Sequence, residues 1–158
     1  MKSLALDKFD LAILHALQQD ARQSWVDLAE AVSLSASACQ RRTQALREAG
    51  VIEQFTIRVD RQAMGYDVEA FVAVSIERQD MAYATAFREA MLALPEIRRC
   101  YMLSGSIDFM LQVIALNLRD YGQFIQREVL SLPGVKDATS SIVLEQIKHG
   151  GPFSRLTT

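Results

Sequence analysis

The chain of 158 residues lacks most features that would place it in a membrane or in a secreted, disulfide-bonded class. No apolar run approaches the ~20 residues that a transmembrane helix needs. The first ten residues, MKSLALDKFD, contain no apolar h-region, so we expect no secretory signal. Only two cysteines occur, Cys39 and Cys100, and they form neither a metal-binding spacing nor a disulfide framework. We therefore expect a cytoplasmic protein that holds no metal and no cofactor.

Groups for catalysis are also scarce. There are two histidines, and we find no paired carboxylates, no Ser/His/Asp set and no phosphate-binding loop, so we expect no enzyme. The formal net charge of −2 argues against a polycation that coats nucleic acid, although it leaves room for a local basic face. Half of the residues are hydrophobic and glycine and proline are few, which predicts a folded chain with a core.

The N-terminal third carries the signals of three successive helices. Apolar side chains at helical spacing indicate a first helix from about Lys8 to Gln19. Ser24 can open a second helix through a capping box with Asp27. Ser35 is a favourable cap for a third helix, and Gly50 can take the left-handed conformation that ends it.

A strand is expected after the third helix, from Val51 to Arg58. A short capped helix, the turn Ser33–Ser35, a longer helix and a strand together outline a winged helix-turn-helix, whose second helix enters the major groove. We interpret Trp25, at the start of the short helix, as a packing residue. Double-stranded DNA is therefore the expected partner of this part of the chain.

The outer face of the third helix carries groups suited to base edges. Cys39 and Leu46 point inward on a helical wheel, and the opposite face is rich in amides and hydroxyls around Arg41. Arginine pairs with guanine and glutamine with adenine through bidentate bonds. Arg42 and Arg47 lie at the flanks, where phosphate contacts are more usual. A solvated polar helix face is the alternative interpretation. The predicted DNA-binding residues are Ser35, Ser37, Gln40, Arg41, Arg42, Gln44 and Arg47.

The chain divides near residue 60, where Asp60–Gly65 resembles one helical turn closed by glycine. We expect a winged helix-turn-helix over residues 1–59, a linker over 60–67, a second domain over 68–150 and a flexible tail over 151–158.

An internal duplication organises the second domain. Phe71–Ile76 and Phe109–Leu116 are β-rich runs, each is followed by a helix, and each helix ends in Leu-Pro before another strand. Tyr83 of the first helix matches Tyr121 of the second. The pattern is βαββαβ, so the fold class is α+β, with a ferredoxin-like sheet that carries both helices on one face.

The other face of this sheet needs a cover. Met110–Leu116 and Ile142–Ile147 are too apolar to face water, and an apolar patch of that kind marks an interface. We expect a homodimer with two-fold symmetry through this face. The symmetry would also suit paired recognition helices, which bind half-sites about one helical turn apart.

The segment Leu103–Asp108 joins the two middle strands. A plain hairpin turn explains its glycine by backbone conformation alone. The alternative is a loop that binds a zwitterion, with free amides for the carboxylate and Asp108 for the ammonium.

The chain resembles the Lrp/AsnC, or feast/famine, family of prokaryotic transcription factors from roughly Leu6 to Lys148. The first half carries the resemblance in LDKFDLAIL, DARQSWVDLAEAV, LSASACQRR and REAGVI, and the second half in SGSIDFML and SLPGVKDATSSIVLEQIK. Each segment is weakly specific by itself, but their ordered combination is specific.

The resemblance implies an amino-acid effector bound at contacts between dimers, and homodimers that assemble to octamers or larger rings. Gly105 and Asp108 match the family's effector loop, whereas Ser106 stands where the family usually has aspartate. The stretch Thr139–Ser141 corresponds to the segment that closes the pocket from a neighbouring subunit. The effector-binding residues so implied are Met102, Ser104, Gly105, Ser106, Asp108, Thr139, Ser140 and Ser141.

We therefore expect a sequence-specific transcriptional regulator whose assembly and DNA affinity respond to a small molecule, an amino acid. One alternative is an architectural, nucleoid-type DNA-binding protein without an effector. An enzyme or an enzyme's regulatory subunit is a third possibility, since ferredoxin-like domains also serve allosteric enzymes, but a fold alone does not give a function.

Overall fold

A computed structural model describes most of the chain, namely residues 5–77, 81–132, 134–148, 150–151 and 153. The chain forms two compact units, one built by residues up to 58 together with those from 148 onward, the other by residues 59–147. The segment expected as a linker thus groups with the second unit. The joint at Pro133, the side chain of Tyr83 and most of the predicted tail lie outside the described residues.

Three helices form the first unit, at the predicted positions. Helix α1 spans Lys8–Gln19, α2 spans Trp25–Val32 and α3 spans Ala36–Glu48. Asp7 and Ser24 begin α1 and α2 with complete capping boxes, in which the cap side chain accepts an amide hydrogen and the acid three residues later accepts the cap's own amide. Such caps satisfy backbone donors that a helix start otherwise leaves without partners.

The core of the first unit lies where the three helices meet. Ile13, Leu28, Cys39 and Leu46 are fully buried there. Burying an aliphatic side chain of this size stabilises a fold by about 1.5–3 kcal/mol. Ser33 ends α2 in the left-handed conformation, with φ of 55°, and so directs the chain into α3.

The strand predicted at Val51–Arg58 is wrong. The structure shows no strand between residues 51 and 67, and residues 53–60 are exposed. The amides of Val51 and Ile52 instead donate to the carbonyl of Leu46, at 2.9 and 3.1 Å, while Gly50 takes φ of +72°. A strand needs a neighbour for its amides and carbonyls, and the described part of this chain offers none here.

A four-stranded antiparallel sheet forms the second unit. Its strands are β1 Val68–Ile76, β2 Ile97–Met102, β3 Phe109–Ala115 and β4 Val135–Ile142, in the order β2-β3-β1-β4. This order, with helices after β1 and β3, confirms the βαββαβ prediction.

Both helices of this unit contribute to a single core on one sheet face. Helix α4 spans Met81–Ala93, and α5 spans Leu118–Phe124 and continues as a π-helical turn over Ile125–Val129. Phe87 packs on Phe109 of β3, with ring centroids 4.4 Å apart. The π-helical turn makes the second half of α5 wider than a regular α-helix. Alternate residues of the central strands β1 and β3 complete the core: Val68, Ala70, Val72, Val74, Phe109, Leu111, Val113 and Ala115.

The last strand ends earlier than predicted. Ile142 is its final residue, and the predicted extension to Ile147 is wrong. The amide of Val143 donates to the carbonyl of Glu69, and β1 begins only one residue earlier, at Val68. Residues beyond 143 therefore have at most one residue of β1 left to pair with. Leu144 is consequently 98% exposed.

Candidate nucleic-acid interface and effector loop

Helix α3 packs into the core of the first unit through one face, and its opposite face is exposed to solvent. Cys39, Thr43 and Leu46 are buried, and burial raises the pKa of the Cys39 thiol above its usual range. A buried thiol with a raised pKa behaves as a small apolar group. The N-cap Ser35 accepts from the amide of Ala38 at 3.2 Å. The orientation predicted for α3 is found, and these outward side chains are exposed: Ser37, Gln40, Arg41, Gln44 and Arg47.

The two central arginines of α3 differ in their surroundings. Arg42 Nη1 lies 2.9 Å from Asp7 Oδ2 and 2.8 Å from Asp10 Oδ1, and its guanidinium carbon lies 5.5 Å from the centroid of the Phe9 ring. These hydrogen bonds, first to Asp10 and then to Asp7, raise the pKa of Arg42. Arg42 therefore connects α3 to the start of α1. Arg41 has no ion pair or side-chain hydrogen bond within the described residues.

The pairing also affects Asp7. The amide of Asp10 and the guanidinium of Arg42 lower the pKa of the Asp7 carboxyl, against a smaller opposing effect of burial. Hydrogen bonds to the ionised form favour that form.

The glutamines of α3 also differ. Gln44 Nε2 donates to Glu48 Oε1 at 2.8 Å, one helical turn away. Gln40 has no such partner within the described ranges, so its amide is available without breaking a contact.

An open depression of ≈ 530 Å³ lies against the outer face of α3. Trp25 and Phe55 line it, and they are 41% and 46% exposed. The sequence pattern predicts Trp25 as a packing residue and gives Phe55 no role, so neither exposed ring is anticipated. One signal could have marked Trp25 as a surface residue of interest. It begins the first helix of the helix-turn-helix, and in such motifs that helix crosses the DNA backbone.

The segment Leu103–Asp108 closes the turn between β2 and β3. The Leu103 amide donates to the Asp108 carbonyl at 2.9 Å, and the Asp108 amide donates to the Val74 carbonyl at 3.1 Å. Asp108 Oδ2 accepts from the Ile76 amide at 2.9 Å, so the carboxylate also ties the loop to the end of β1. Gly105 has φ of +150°, which disfavours other residues, and the space around its missing Cβ is empty.

The predicted effector residues do not share one surface of a single chain. The turn carries four of them, Ser104 to Ser106 and Asp108, with exposed Met102 just before it at the end of β2. Residues 139–141 alternate across the sheet. Ser140 lies on the helix-covered face, where the Tyr121 hydroxyl donates to its Oγ at 2.6 Å, whereas Thr139 and Ser141 lie on the other face.

That other face, here called the open face, carries neither of the two helices of its own unit. Phe71 and Tyr101 are exposed on it, beside the partly exposed Met110. At one end, Glu69 is buried and accepts from Arg61 Nε at 3.1 Å. The rest of this face mixes apolar side chains such as Phe71 and Tyr101 with the polar Thr139 and Ser141.

Two structural absences apply to the described residues. No helix among them is long and apolar enough to cross a membrane. They also contain no group of three or more His, Cys, Asp or Glu side chains that could hold a metal ion.

Comparisons with known proteins agree with this geometry. Residues 6–47 match the model of the AsnC-type helix-turn-helix domain, and residues 69–153 match that of the Lrp/AsnC ligand binding domain. A leucine-responsive regulatory protein of Rhizobium meliloti is 37% identical over 143 residues, 90% of this chain and 92% of that protein. A Bkd operon transcriptional regulator of Pseudomonas aeruginosa is 34% identical over 142 residues, 90% of this chain and 93% of that protein.

Solved structures give the same picture. A transcriptional regulator of Neisseria meningitidis in complex with L-Met superposes with a TM-score of 0.89 at 35% identity, covering 94% of this chain and 96% of that one. An AsnC family transcriptional regulator of Agrobacterium tumefaciens superposes with a TM-score of 0.85 at 30% identity, covering 91% and 94%.

Proposed function

Since the chain belongs to the Lrp/AsnC family of transcriptional regulators, we propose that it binds specific DNA sequences and that its assembly and DNA affinity respond to an amino acid. One observation carries the DNA part. Helix α3 is anchored by buried Cys39 and Leu46, while Gln40 and Arg41 project without partners among the residues that the structure describes. Unpaired groups on a rigid helix can bind base edges without first breaking contacts within the protein.

In this proposal α3 lies in the major groove. Arg41 bonds a guanine and Gln40 an adenine, and Arg47 binds phosphate at the flank. Gln44 takes part after release from Glu48. Ser35 and Ser37 lie at the N-terminal end of α3, where backbone amides and the helix dipole favour a phosphate to which a hydroxyl can also donate. Arg42 orients α3 through its two carboxylate partners and does not contact the DNA.

The proposed dimer forms through the open face. Exposed Phe71 and Tyr101, with Met110 between them in the sheet, would become buried against the same residues of a second copy. Two-fold symmetry then pairs two recognition helices for two half-sites. Larger assembly, to octamers or beyond, follows from contacts between such dimers.

The effector is proposed to bind at the Ser104–Asp108 turn. Exposed backbone at Gly105 can approach a carboxylate closely, and Asp108 supplies the opposite charge for an ammonium. Thr139 and Ser141, which lie on the open face, are proposed to close the site from a neighbouring subunit. Two similar structures are of L-methionine complexes, from N. meningitidis and M. tuberculosis, so L-methionine is the first amino acid to test. If DNA and effector both bind, each must change the other's affinity by the same factor.

The effector is tested by thermal melting of the full chain with each of the twenty amino acids. A ligand of the folded state stabilises it by about 2.7 kcal/mol at a hundredfold excess over Kd, so an effector raises the melting temperature. D-methionine is the matched control for L-methionine. Unchanged melting with all twenty would contradict an amino-acid effector and leave the DNA part untouched.

The DNA part is tested by enriching a duplex from a random-sequence pool on the full chain and competing it against a scrambled duplex of the same composition. Specific regulators prefer their site by about 10³-fold or more. A ratio near one would contradict sequence-specific regulation and favour the architectural alternative, which nothing in the comparisons supports.

A further inference from the structure

The depression beside α3 combines charge and aromatic surface on the side that the proposed function assigns to DNA. It contains two arginines and two glutamines, and no carboxylate side chain of the described residues lines it. Two aromatic rings add apolar surface. The lining residues are Trp25, Ser37, Gln40, Arg41, Thr43, Gln44, Arg47 and Phe55.

Both rings remain substantially exposed in the free chain. Trp25 is the first residue of α2 and is 41% exposed, and Phe55, at 46% exposed, lies with its ring centroid 5.8 Å from the guanidinium carbon of Arg47. Large apolar surface kept next to groups of one charge is a mark of an interaction site. Its cationic surroundings select an anionic partner.

The N-terminus of α2 is itself already occupied. Asp27 accepts from the Ser24 amide at 3.3 Å and from the Ser24 hydroxyl at 2.7 Å, which places a carboxylate at the helix end. A phosphate would be repelled there. The available group at this corner is the indole of Trp25, which offers an apolar ring and one N–H donor.

The inner wall of the depression holds an unsatisfied polar group. Thr43 is 2% exposed, and its Oγ1 has no hydrogen-bond partner among the described residues. Buried hydroxyls nearly always have a partner, in the protein or in ordered water. The hydroxyl of Thr43 is therefore a group that ordered water can satisfy at this wall, and the case for a partner rests on the two rings and the two arginines.

We propose that Trp25 is a DNA-contacting residue. Its ring packs against deoxyribose of the strand that borders the groove bound by α3, and its Nε1–H donates to a phosphate of that strand. Phe55 packs on the sugar–phosphate backbone from the other end of the depression. In helix-turn-helix complexes the first helix crosses the DNA backbone, which is the position of α2. Backbone contacts position the protein and do not distinguish sequences. Trp25 thus adds affinity for any B-form duplex, whereas Arg41 adds discrimination. This inference rests on the proposed function.

The test uses the intrinsic fluorescence of the unaltered protein, because Trp25 is the one tryptophan of the chain. The full chain is titrated with the enriched duplex and, at low salt, with its scrambled counterpart. Binding is followed independently by the anisotropy of a dye-labelled copy of each duplex. We expect the Trp25 emission to change in step with anisotropy for both duplexes. Binding by anisotropy with unchanged emission would overturn the inference and leave the proposed function standing. No binding to either duplex would overturn the proposed function itself.

Two substitutions separate contact from an indirect change. Trp25→Ala should weaken binding to both duplexes by about tenfold, which corresponds to about 1.4 kcal/mol. Val26→Ala is the matched control, because Val26 is the next residue of α2, is 69% exposed and does not line the depression. It should bind as the unaltered chain does. Equal affinity of Trp25→Ala and the unaltered chain, or a loss confined to the enriched duplex, would overturn the backbone contact. Trp25→Phe keeps an apolar ring and should lose less affinity than Trp25→Ala. If Trp25→Ala does not fold, Trp25→Phe replaces it in the binding comparison.

Discussion

Two adjacent arginines of α3 allow DNA recognition to be separated from folding. Arg41 is exposed and unpaired within the described residues, whereas Arg42 bonds Asp7 and Asp10. Replacing each by alanine removes the same chemical group from neighbouring positions of one helix. The two variants are therefore controls for each other.

Arg41→Ala should lower discrimination between the enriched and the scrambled duplex. A bidentate contact to guanine contributes about 1–3 kcal/mol of discrimination, or roughly 5- to 150-fold. Stability should change by no more than about 0.5 kcal/mol, because the side chain is exposed and has no partner to leave behind.

Arg42→Ala should lower stability and leave discrimination between the two duplexes unchanged. It removes both hydrogen bonds and leaves Asp10, whose side chain is only 12% exposed, close to Asp7 without a compensating charge. The melting temperature should fall at neutral pH. The difference from the unaltered chain should shrink as pH falls through the lowered pKa of Asp7. The folded fraction should retain its preference for the enriched duplex.

Competition binding with both duplexes and melting curves of both variants measure these effects. If Arg41→Ala weakens binding to the two duplexes equally, Arg41 touches only phosphate. If Arg42→Ala loses discrimination without loss of stability, Arg42 contacts bases, and the role assigned to its carboxylate partners is wrong.

Three further predictions concern stability and assembly. Ser33→Gly should raise the free energy of unfolding by about 0.5–1 kcal/mol, since Ser33 has φ of 55°. The control Ala49→Gly, at φ of −78°, should lower it by a similar amount. Denaturant titration measures both, and a Ser33→Gly variant less stable than the unaltered chain would contradict the reasoning. Because the folded-state pKa of Asp7 is lowered, its contribution to stability is present above its unfolded pKa and is lost as pH falls through the folded value. Melting curves against pH should accordingly be flatter in Asp7→Asn, and an identical acid slope would count against this role. Phe71→Glu should shift the protein to monomers in analytical ultracentrifugation, whereas Leu92→Glu, at an exposed position of α4, should not, and an unchanged dimer would place the interface elsewhere.

The helices of the first unit were predictable because their signals are local. A cap such as Ser24, an acid three residues later and apolar side chains at helical spacing all lie within a few turns of the chain. The same applies to the buried face of α3, because the positions of Cys39 and Leu46 on a helical wheel identify that face. For these helices, tertiary packing and local preference agree.

Features that depend on distant partners were less accessible. The wheel placed Arg42 beside the inward direction, but it could not reveal two carboxylates from the start of α1. The segment 51–58 has a strand-like composition, and composition does not say whether a neighbouring strand exists. The duplication predicted the βαββαβ arrangement. The π-helical turn at Ile125–Val129 could not be predicted from periodicity, because its buried residues, Ile125 and Val129, are also spaced as in an α-helix.

The two segments of the proposed effector site differ in how well the sequence predicts their geometry. The turn containing Gly105 has a local signature, because a residue with φ of +150° favours glycine. The stretch 139–141 does not, since alternation in a strand sends Ser140 to one sheet face and its neighbours to the other. If a neighbouring subunit completes the site, as proposed, the spacing within one chain cannot reveal it.

The charge distribution favours site-specific regulation over bulk DNA binding, and salt dependence tests this. The chain has a net charge of −2, and the depression beside α3 carries two cations, Arg41 and Arg47. Each neutralised phosphate contributes about −0.9 to the slope of log K against log salt, so a dimer that uses only these groups should show a slope no steeper than about −4. A nucleoid-type protein that coats DNA through many phosphates would show a steeper slope and little discrimination. A slope near −10 would mean that a further basic surface contacts DNA. The affinity could then no longer be attributed to base contacts, the proposed Trp25 contact and the pairing of two recognition helices alone.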